Sequence, residues 1–363
     1  MTSPNQSLRL YVGTYTRGNS EGIYQLAFDP DTGALQQVDV TPAENPSFLA
    51  TDPAQRWLYA VNELPGNRGD ATGQVTAYRI APTTGKLTPI NTRPTHGTIP
   101  CYVSVDATGS AALVANYGSG SVAAYPIGVD GALGESSSVC QHTGKGADPR
   151  RQEGPHAHSI VPDPANRFVL AADLGIDEIR LYRLNAVAAT LMPHDPAGLA
   201  VEPGSGPRHL AFSHDGRFLY AINELGNTVM AFAYDANKGA LTHLQTIDAL
   251  PADWEGTSYC ADLHLHPSGR WLYGSNRGHD SIVGYAVDSV TGRLSLRGHW
   301  ASGGTFPRNF AITPSGRHLL VANQNSDNIV VYAINADSGT LERTGVELHI
   351  GAPVCLLILP LRS

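Results

Sequence analysis

One phrase recurs through this chain of 363 residues: a short apolar run, a turn such as DPxxR or xPSGR, then a strand-like LYAxN segment. It stands at DPAQRWLYAVN (52–62), DATGSAALVAN (106–116), DPANRFVLAAD (163–173), SHDGRFLYAIN (213–223), HPSGRWLYGSN (266–276) and TPSGRHLLVAN (313–323), and a first copy, LRLYVGT (8–14), lacks the preceding turn. The residues closing each copy are Thr14, Asn62, Asn116, Asp173, Asn223, Asn276 and Asn323, spaced by 48, 54, 57, 50, 53 and 47 residues. A period near fifty suits four-stranded propeller blades, in which no unit buries its apolar face alone. The spacing predicts an all-β, seven-bladed β-propeller with four antiparallel strands per blade. It also predicts one domain over 1–363 where length alone would allow two or three.

Each unit reads as four β-branched and aromatic segments separated by Gly, Pro or Asp turns, as in PSFLATD (46–52), RWLYAVN (56–62), GQVTAYRI (73–80) and KLTPINT (86–92). Only NAVAATLM (185–192) hints at helix. The first copy begins at its second strand, and PVCLLILP (353–360) repeats the Pro-to-turn spacing of PSFLATDP (46–53) and PRNFAITP (307–314). The C-terminal strand is therefore expected to pair with the N-terminal ones and close the ring, removing exposed sheet edges. A monomer is the expected state.

Composition narrows the partners. Net charge is -8 with three lysines, Lys86, Lys145 and Lys238, and there is no basic run, which argues against nucleic acid. The N-terminus MTSPNQSLRL has no apolar signal-like core and no stretch approaches a membrane span, so a soluble cytoplasmic protein is expected, with no membrane partner. Cys101, Cys140, Cys260 and Cys355 form no CxxC pair and read as reduced thiols.

In a propeller the first residues of the inner strands converge at one mouth of the central channel. Pro46, Pro100, Pro155, Pro207, Pro307 and Pro353 open most of them, followed by Ser47, Cys101, His156, Arg208, Arg308 and Val354; the sixth blade has Cys260-Ala261-Asp262 there. A histidine, two arginines and an aspartate are thus predicted around one mouth. A second polar set ends the second strands, including Asn62-Glu63, Asn116-Tyr117, Asn223-Glu224 and Asn276-Arg277. Turn capping explains the asparagines. It explains Glu224 and Arg277 less well, since buried charge is costly unless paired or used.

PHAHS (155–159) carries two extra residues relative to the other blades, which implies a bulge that re-aims side chains. His156 and His158 could be catalytic bases, metal ligands or a structural pair. No acidic cluster of ligand spacing accompanies them, so neither metal nor other cofactor is expected. His264 and His266 repeat the spacing but read as structural. GNSEG (18–22) matches GxSxG without the strand–elbow–helix setting a nucleophile needs, and GSGS (118–121) opens no helix and reads as a turn.

The strings GTYTRGNSEGIY (13–24), NPSFLA (45–50), VANYGSGSV (114–122), PHAHS (155–159), GPRHLAF (206–212), LYAINELGNTV (219–229), LYGSNRGHDSI (272–282) and PRNFAI (307–312) resemble the lactonase β-propeller family, which includes bacterial 6-phosphogluconolactonases and the fungal carboxy-cis,cis-muconate lactonising enzyme. The resemblance spans nearly the whole chain. It implies a metal-independent site made of a histidine of PHAHS (His156 or His158), Arg208, Glu224 and Arg277. The expected activity is hydrolysis of a sugar lactone, 6-phosphogluconolactone foremost, with Glu224 or a PHAHS histidine activating water and Arg208 or Arg277 meeting the oxyanion. Arg308 is expected to hold a phosphate or carboxylate, with His209, Asn223 and Asp262 as further substrate contacts. Lactonisation of a muconate-type dicarboxylate is the alternative, and a non-catalytic interaction platform a third.

Overall fold

The computed structural model describes residues 7–65 and 73–360. Its strands form seven four-stranded antiparallel sheets, and no helix occurs among the described residues. The inner strands are Pro353–Pro360 in blade 1 and then, for blades 2 to 7, Pro46–Thr51, Pro100–Val105, Ala157–Pro162, Pro207–Phe212, Tyr259–Leu265 and Pro307–Ile312. Each touches the inner strand of the next blade around a complete ring. Closure is as expected: Leu8 pairs with Pro360, and the ladder runs to Thr14 opposite Pro353. The helix hinted at NAVAATLM does not form. Asn185 Oδ1 accepts from the Ala188 N–H at 3.1 Å, Ala189 takes φ 51°, and the chain turns into the strand Thr190–Ala200. There an Asx turn outcompetes helix propensity.

The second strands, such as Trp57–Asn62 and Phe218–Asn223, are buried at every position, because blades cover both faces of each one. That is why they read as continuous apolar runs, whereas outer strands such as Leu35–Pro42 are largely exposed or half-buried. Each wholly buried Leu, Phe or Val contributes about 1.5–3 kcal/mol.

A repeated contact sets the distance between blades. Tyr11, Tyr59, Tyr220 and Tyr273 donate their hydroxyls to the carbonyls of Gly85, Gly131, Gly292 and Gly339 in the next blade, at 2.5, 3.1, 3.1 and 2.7 Å. Under three of these glycines lies an aromatic ring: a Cβ would stand 2.3 Å from Trp57 at Gly131, 2.3 Å from Phe218 at Gly292 and 2.5 Å from Trp271 at Gly339.

The inner strands share one irregularity. Pro46 pairs with Asn62, yet Phe48 pairs with Val61, so Ser47 is skipped by the ladder. Cys101, His158, Arg208, Arg308 and Val354 are skipped in the same way, and blade 6 skips both Ala261 and Asp262. Such bulges turn the skipped side chain toward the axis. The two extra residues of PHAHS precede the strand, so Ala157 takes the place of the proline. His158, rather than the expected His156, therefore joins the axial row.

Gly292, at φ 71°, should not tolerate a side chain. Gly292→Ala is expected to lose at least about 1–2 kcal/mol through backbone strain alone, with the clash on Phe218 adding to it. Thermal or urea unfolding of the purified variant measures the loss.

Candidate active site

Two rows of residues meet at one mouth of the channel. The axial row contributes Cys101, His158 and Arg308. The residues that follow the closing position of each second strand contribute Tyr15, Glu63, Tyr117, Glu224 and Arg277. With Ile99 and Arg151 they line a cavity of about 320 Å³.

Glu224 is the electrostatic centre. Its Oε2 accepts from Arg208 Nε at 2.9 Å and lies 2.7 Å from Arg277 Nη2, and its Oε1 accepts from Arg151 Nη2 at 2.5 Å. Burial alone would raise its pKa. The attraction of Arg277, Arg208 and Arg151 outweighs burial and holds the carboxyl far below the ordinary carboxylate range. So firmly ionised and so fully bonded a carboxylate is a poor proton acceptor, which disfavours Glu224 as the base.

Arg208 lies beneath the cavity and does not line it. Its Nη1 donates to the Ala261 carbonyl at 2.6 Å and sits 3.2 Å from His209 Nε2. Burial, then repulsion from Arg277 and Arg308, lowers it to about 10. His209 Nδ1 is 2.7 Å from Asp262 Oδ1. This network assigns the proton to Nδ1 and leaves Nε2 to accept from Arg208. Burial and the Arg208 charge push His209 down to about 4. Asp262 also accepts from Asn309 Nδ2 at 2.5 Å and lies 2.8 Å from His264 Nε2. His209 and Asp262, expected as substrate contacts, instead form a foundation under Arg208. Asn223 is wholly buried, and its amide donates to Thr228 Oγ1 at 2.8 Å, so it caps the hairpin and does not line the cavity.

The two PHAHS histidines separate. His158 lines the cavity, and its Nδ1 is 3.6 Å from Cys101 Sγ. Burial, then the charges of Arg208, His209 and Arg308, hold its pKa well below 6.5, so the ring is neutral. His156 stacks on Tyr117 at 4.5 Å with Nδ1 2.9 Å from the Tyr117 carbonyl, outside the cavity. Its N–H donates to Asp173 Oδ1 at 2.7 Å, so the aspartate that replaces the usual closing asparagine fastens the inserted residues. Burial pushes the Cys101 thiol up, and a thiol kept protonated is no nucleophile.

Arg308 is half-buried and sits over the Tyr15 ring at 5.4 Å, and no carboxylate among the described residues forms an ion pair with it. Tyr15 donates its hydroxyl to Glu63 at 2.9 Å. Among the described residues no group of three or more His, Cys, Asp and Glu side chains is arranged to hold a metal, and no helix is long and apolar enough to cross a membrane.

Glu63 and Tyr117 belong to the second polar set read from the sequence, though without a role, whereas Tyr15 and Arg151 were not singled out. Tyr15 shares the position of Glu63, Tyr117, Glu224 and Arg277 in its own blade, so the repeat contained its signal. Arg151 lies in the connection between Ser138–Gln141 and Ala157–Pro162, outside the repeated phrase, and carried none.

The family described as lactonase, 7-bladed beta-propeller, matches residues 9–358. The chain is 37% identical to the 6-phosphogluconolactonase of Bacillus subtilis over 301 residues, 83% of each protein. It is also 37% identical to that of Pectobacterium carotovorum over 290 residues, 80% of each. Among solved structures, a putative 6-phosphogluconolactonase from Bacteroides fragilis superposes with TM-score 0.92 at 36% identity, covering 99% of both chains. A periplasmic gluconolactonase from Pseudomonas aeruginosa does so with TM-score 0.92 at 39% identity, covering 98% of this chain and all of that one. The chain belongs to the seven-bladed β-propeller lactonases.

Glu224→Gln should destabilise the protein by about 3–5 kcal/mol, since it leaves the buried guanidiniums of Arg208 and Arg277 and the half-buried one of Arg151 without their carboxylate. The folded pKa lies below the unfolded value of 4.5. The stabilisation is therefore full above that pH and is lost as pH falls through the folded pKa. Urea denaturation across pH should show a constant gap between wild type and variant near neutrality that narrows in acid.

Proposed function

We propose that this lactonase hydrolyses 6-phosphogluconolactone by direct attack of water, with His158 as general base. The observation that carries the phosphorylated substrate is Arg308, a guanidinium that lines the cavity without an ion-pair partner among the described residues. Among the charged residues lining the cavity, Arg151, Arg277 and Arg308 face Glu63 and Glu224, which leaves one net positive charge at the mouth, a site suited to an anionic phosphate. The names of the Bacillus and Pectobacterium relatives support the same substrate.

A lactone is an activated ester, so a positioned water and a base suffice. His158 Nε2 takes the proton as the water oxygen bonds to the carbonyl carbon. Arg277, anchored by Glu224 and by the Cys260 carbonyl at 2.9 Å, meets the developing oxyanion, with Arg151 beside it. Collapse of the tetrahedral adduct breaks the bond to the ring oxygen, which receives the proton back from His158. Arg208, His209 and Asp262 act from below by fixing Glu224, and Glu224 fixes the arginines. A substrate bearing a phosphate dianion places this work in the cytoplasm, and the four unpaired cysteines suit a reducing compartment. Ring closure leaves no blade in need of a second chain, which favours a monomer. The gluconolactonase title of the Pseudomonas structure favours a second reading, an unphosphorylated lactone.

Purified protein assayed against 6-phosphogluconolactone, gluconolactone and carboxymuconate, with spontaneous hydrolysis subtracted, decides between these. Arg308→Ala should raise KM for the phosphorylated lactone about 10- to 100-fold and leave gluconolactone turnover nearly unchanged. Equal effects on both substrates would remove the phosphate from Arg308.

His158→Gln should lower kcat by about 10²–10⁴. Because the folded pKa of His158 lies well below 6.5, the imidazole is already neutral there. The kcat/KM profile should show no acid limb near pH 6.5, and its limb should lie at lower pH. A limb at 6.5 that disappears in His158→Gln would contradict the neutral base.

A further inference from the structure

We propose that the face of the propeller opposite the candidate active site carries a second binding site, centred on Arg9, for a small organic anion with an apolar body. The strand Leu8–Thr14 runs the depth of blade 1. Tyr15, just beyond its far end, lines the lactonase cavity, and six residue steps place Arg9 roughly 20 Å away. The two sites are separate, and this one does not depend on the lactone reading.

Arg9 breaks the pattern of its own row. Two residues before the tyrosine that latches onto the next blade, blades 2, 5 and 6 place Trp57, Phe218 and Trp271. Blade 1 places Arg9 two residues before Tyr11. Gly85 covers its guanidinium as Gly131, Gly292 and Gly339 cover the aromatic rings, a Cβ there falling 2.1 Å from Arg9 Nε. Arg9 is only 6% exposed, Nη2 donates to the Thr83 carbonyl at 3.3 Å, and Nε has no hydrogen-bond partner among the described residues. No carboxylate among the described residues forms an ion pair with it. Packing alone would be served by another aromatic; a buried guanidinium without a counter-ion is costly and calls for an anion.

A cavity of about 210 Å³ opens beside it, lined by Arg9, Arg56, Trp57, Arg79, Pro82 and Leu359. Arg79 is exposed, lies 5.2 Å from the centre of the Trp57 ring, and also lacks a carboxylate partner among the described residues. Arg56 lies 5.7 Å from the same ring and pairs with Asp52 at 3.2 Å. Three guanidiniums thus share one carboxylate, in a chain whose net charge is -8. Apolar walls with converging cations suit a carboxylate or phosphate monoester carried on a ring or alkyl body.

The test titrates the full chain with benzoate, phenyl phosphate and inorganic phosphate, by calorimetry and by ligand-observed NMR. Benzoate against phenyl phosphate tells carboxylate from phosphate, and inorganic phosphate tests the apolar body. Wild type and Arg308→Ala should bind one of the two aromatic anions with millimolar or tighter affinity, and inorganic phosphate at least about tenfold more weakly. Arg79→Ala, an exposed change that spares the fold, should weaken binding about tenfold, and Arg9→Leu should abolish it with the protein still folded by circular dichroism. Binding lost in Arg308→Ala but kept in Arg79→Ala would assign the anion to the lactonase cavity and overturn the proposal. So would no binding of any probe by wild type.

Discussion

The antiparallel ladder between Leu8–Thr14 and Pro353–Pro360 is the contact on which the rest of the molecule depends. It joins residues nearly a chain length apart, so its loop-closure entropy is lost before the burial of blade 1 against both of its neighbours can be completed. It also builds one wall of the candidate site. The Tyr15 N–H donates to the Ala352 carbonyl at 3.1 Å, which fixes Tyr15 at the seam, and Arg308 of blade 7 reaches across to lie over its ring. The seam that closes the ring therefore holds both the phenol that orients Glu63 and the Arg308 guanidinium, which has no ion-pair partner among the described residues.

Inside that ring, charge is arranged in layers. Asp262 fixes His209, His209 faces Arg208, and Arg208 fixes Glu224. Each member of this column is buried and partnered, so each is rigid and chemically quiet. Glu224 in turn aligns Arg151 and Arg277, whose remaining N–H groups face the cavity. Only above that column stand groups with unused capacity: the neutral ring of His158 and the unpaired Arg308. In the proposed mechanism, reactivity at the mouth comes from groups the scaffold leaves unsatisfied, and their precision from groups it satisfies fully.

The architecture was legible because the repeat is a physical necessity. Blades of one shape need one turn and one apolar strand, and those recur from LYAVN to LLVAN. The symmetry of the repeat alone makes the charged residues neighbours. What could not be read was register. PHAHS has two histidines, and which one enters the axial row depends on whether the two-residue insertion lies inside the inner strand or ahead of it. The ladder places it ahead, so His158 enters and His156 becomes the prop under Tyr117. Depth was equally hidden. Arg208 and Arg308 follow prolines in the same way, yet one is sunk beneath the cavity by Glu224 and the other lines it. Arg151 belongs to no repeat, and a non-local pairing has no local signature.

The skipped residue at the head of each inner strand has a wider consequence. A side chain outside the ladder can be exchanged without breaking a backbone pairing, because its own N–H and C=O are not part of the register on either side. In blades 2, 5 and 7 the skipped residue and its successor, Ser47 and Phe48, Arg208 and His209, Arg308 and Asn309, border the same buried chamber. Every blade thus offers the channel at least one position that the ladder does not use. A propeller of this kind can rewrite its substrate one blade at a time, changing a word of its binding site while the grammar of the fold stays untouched.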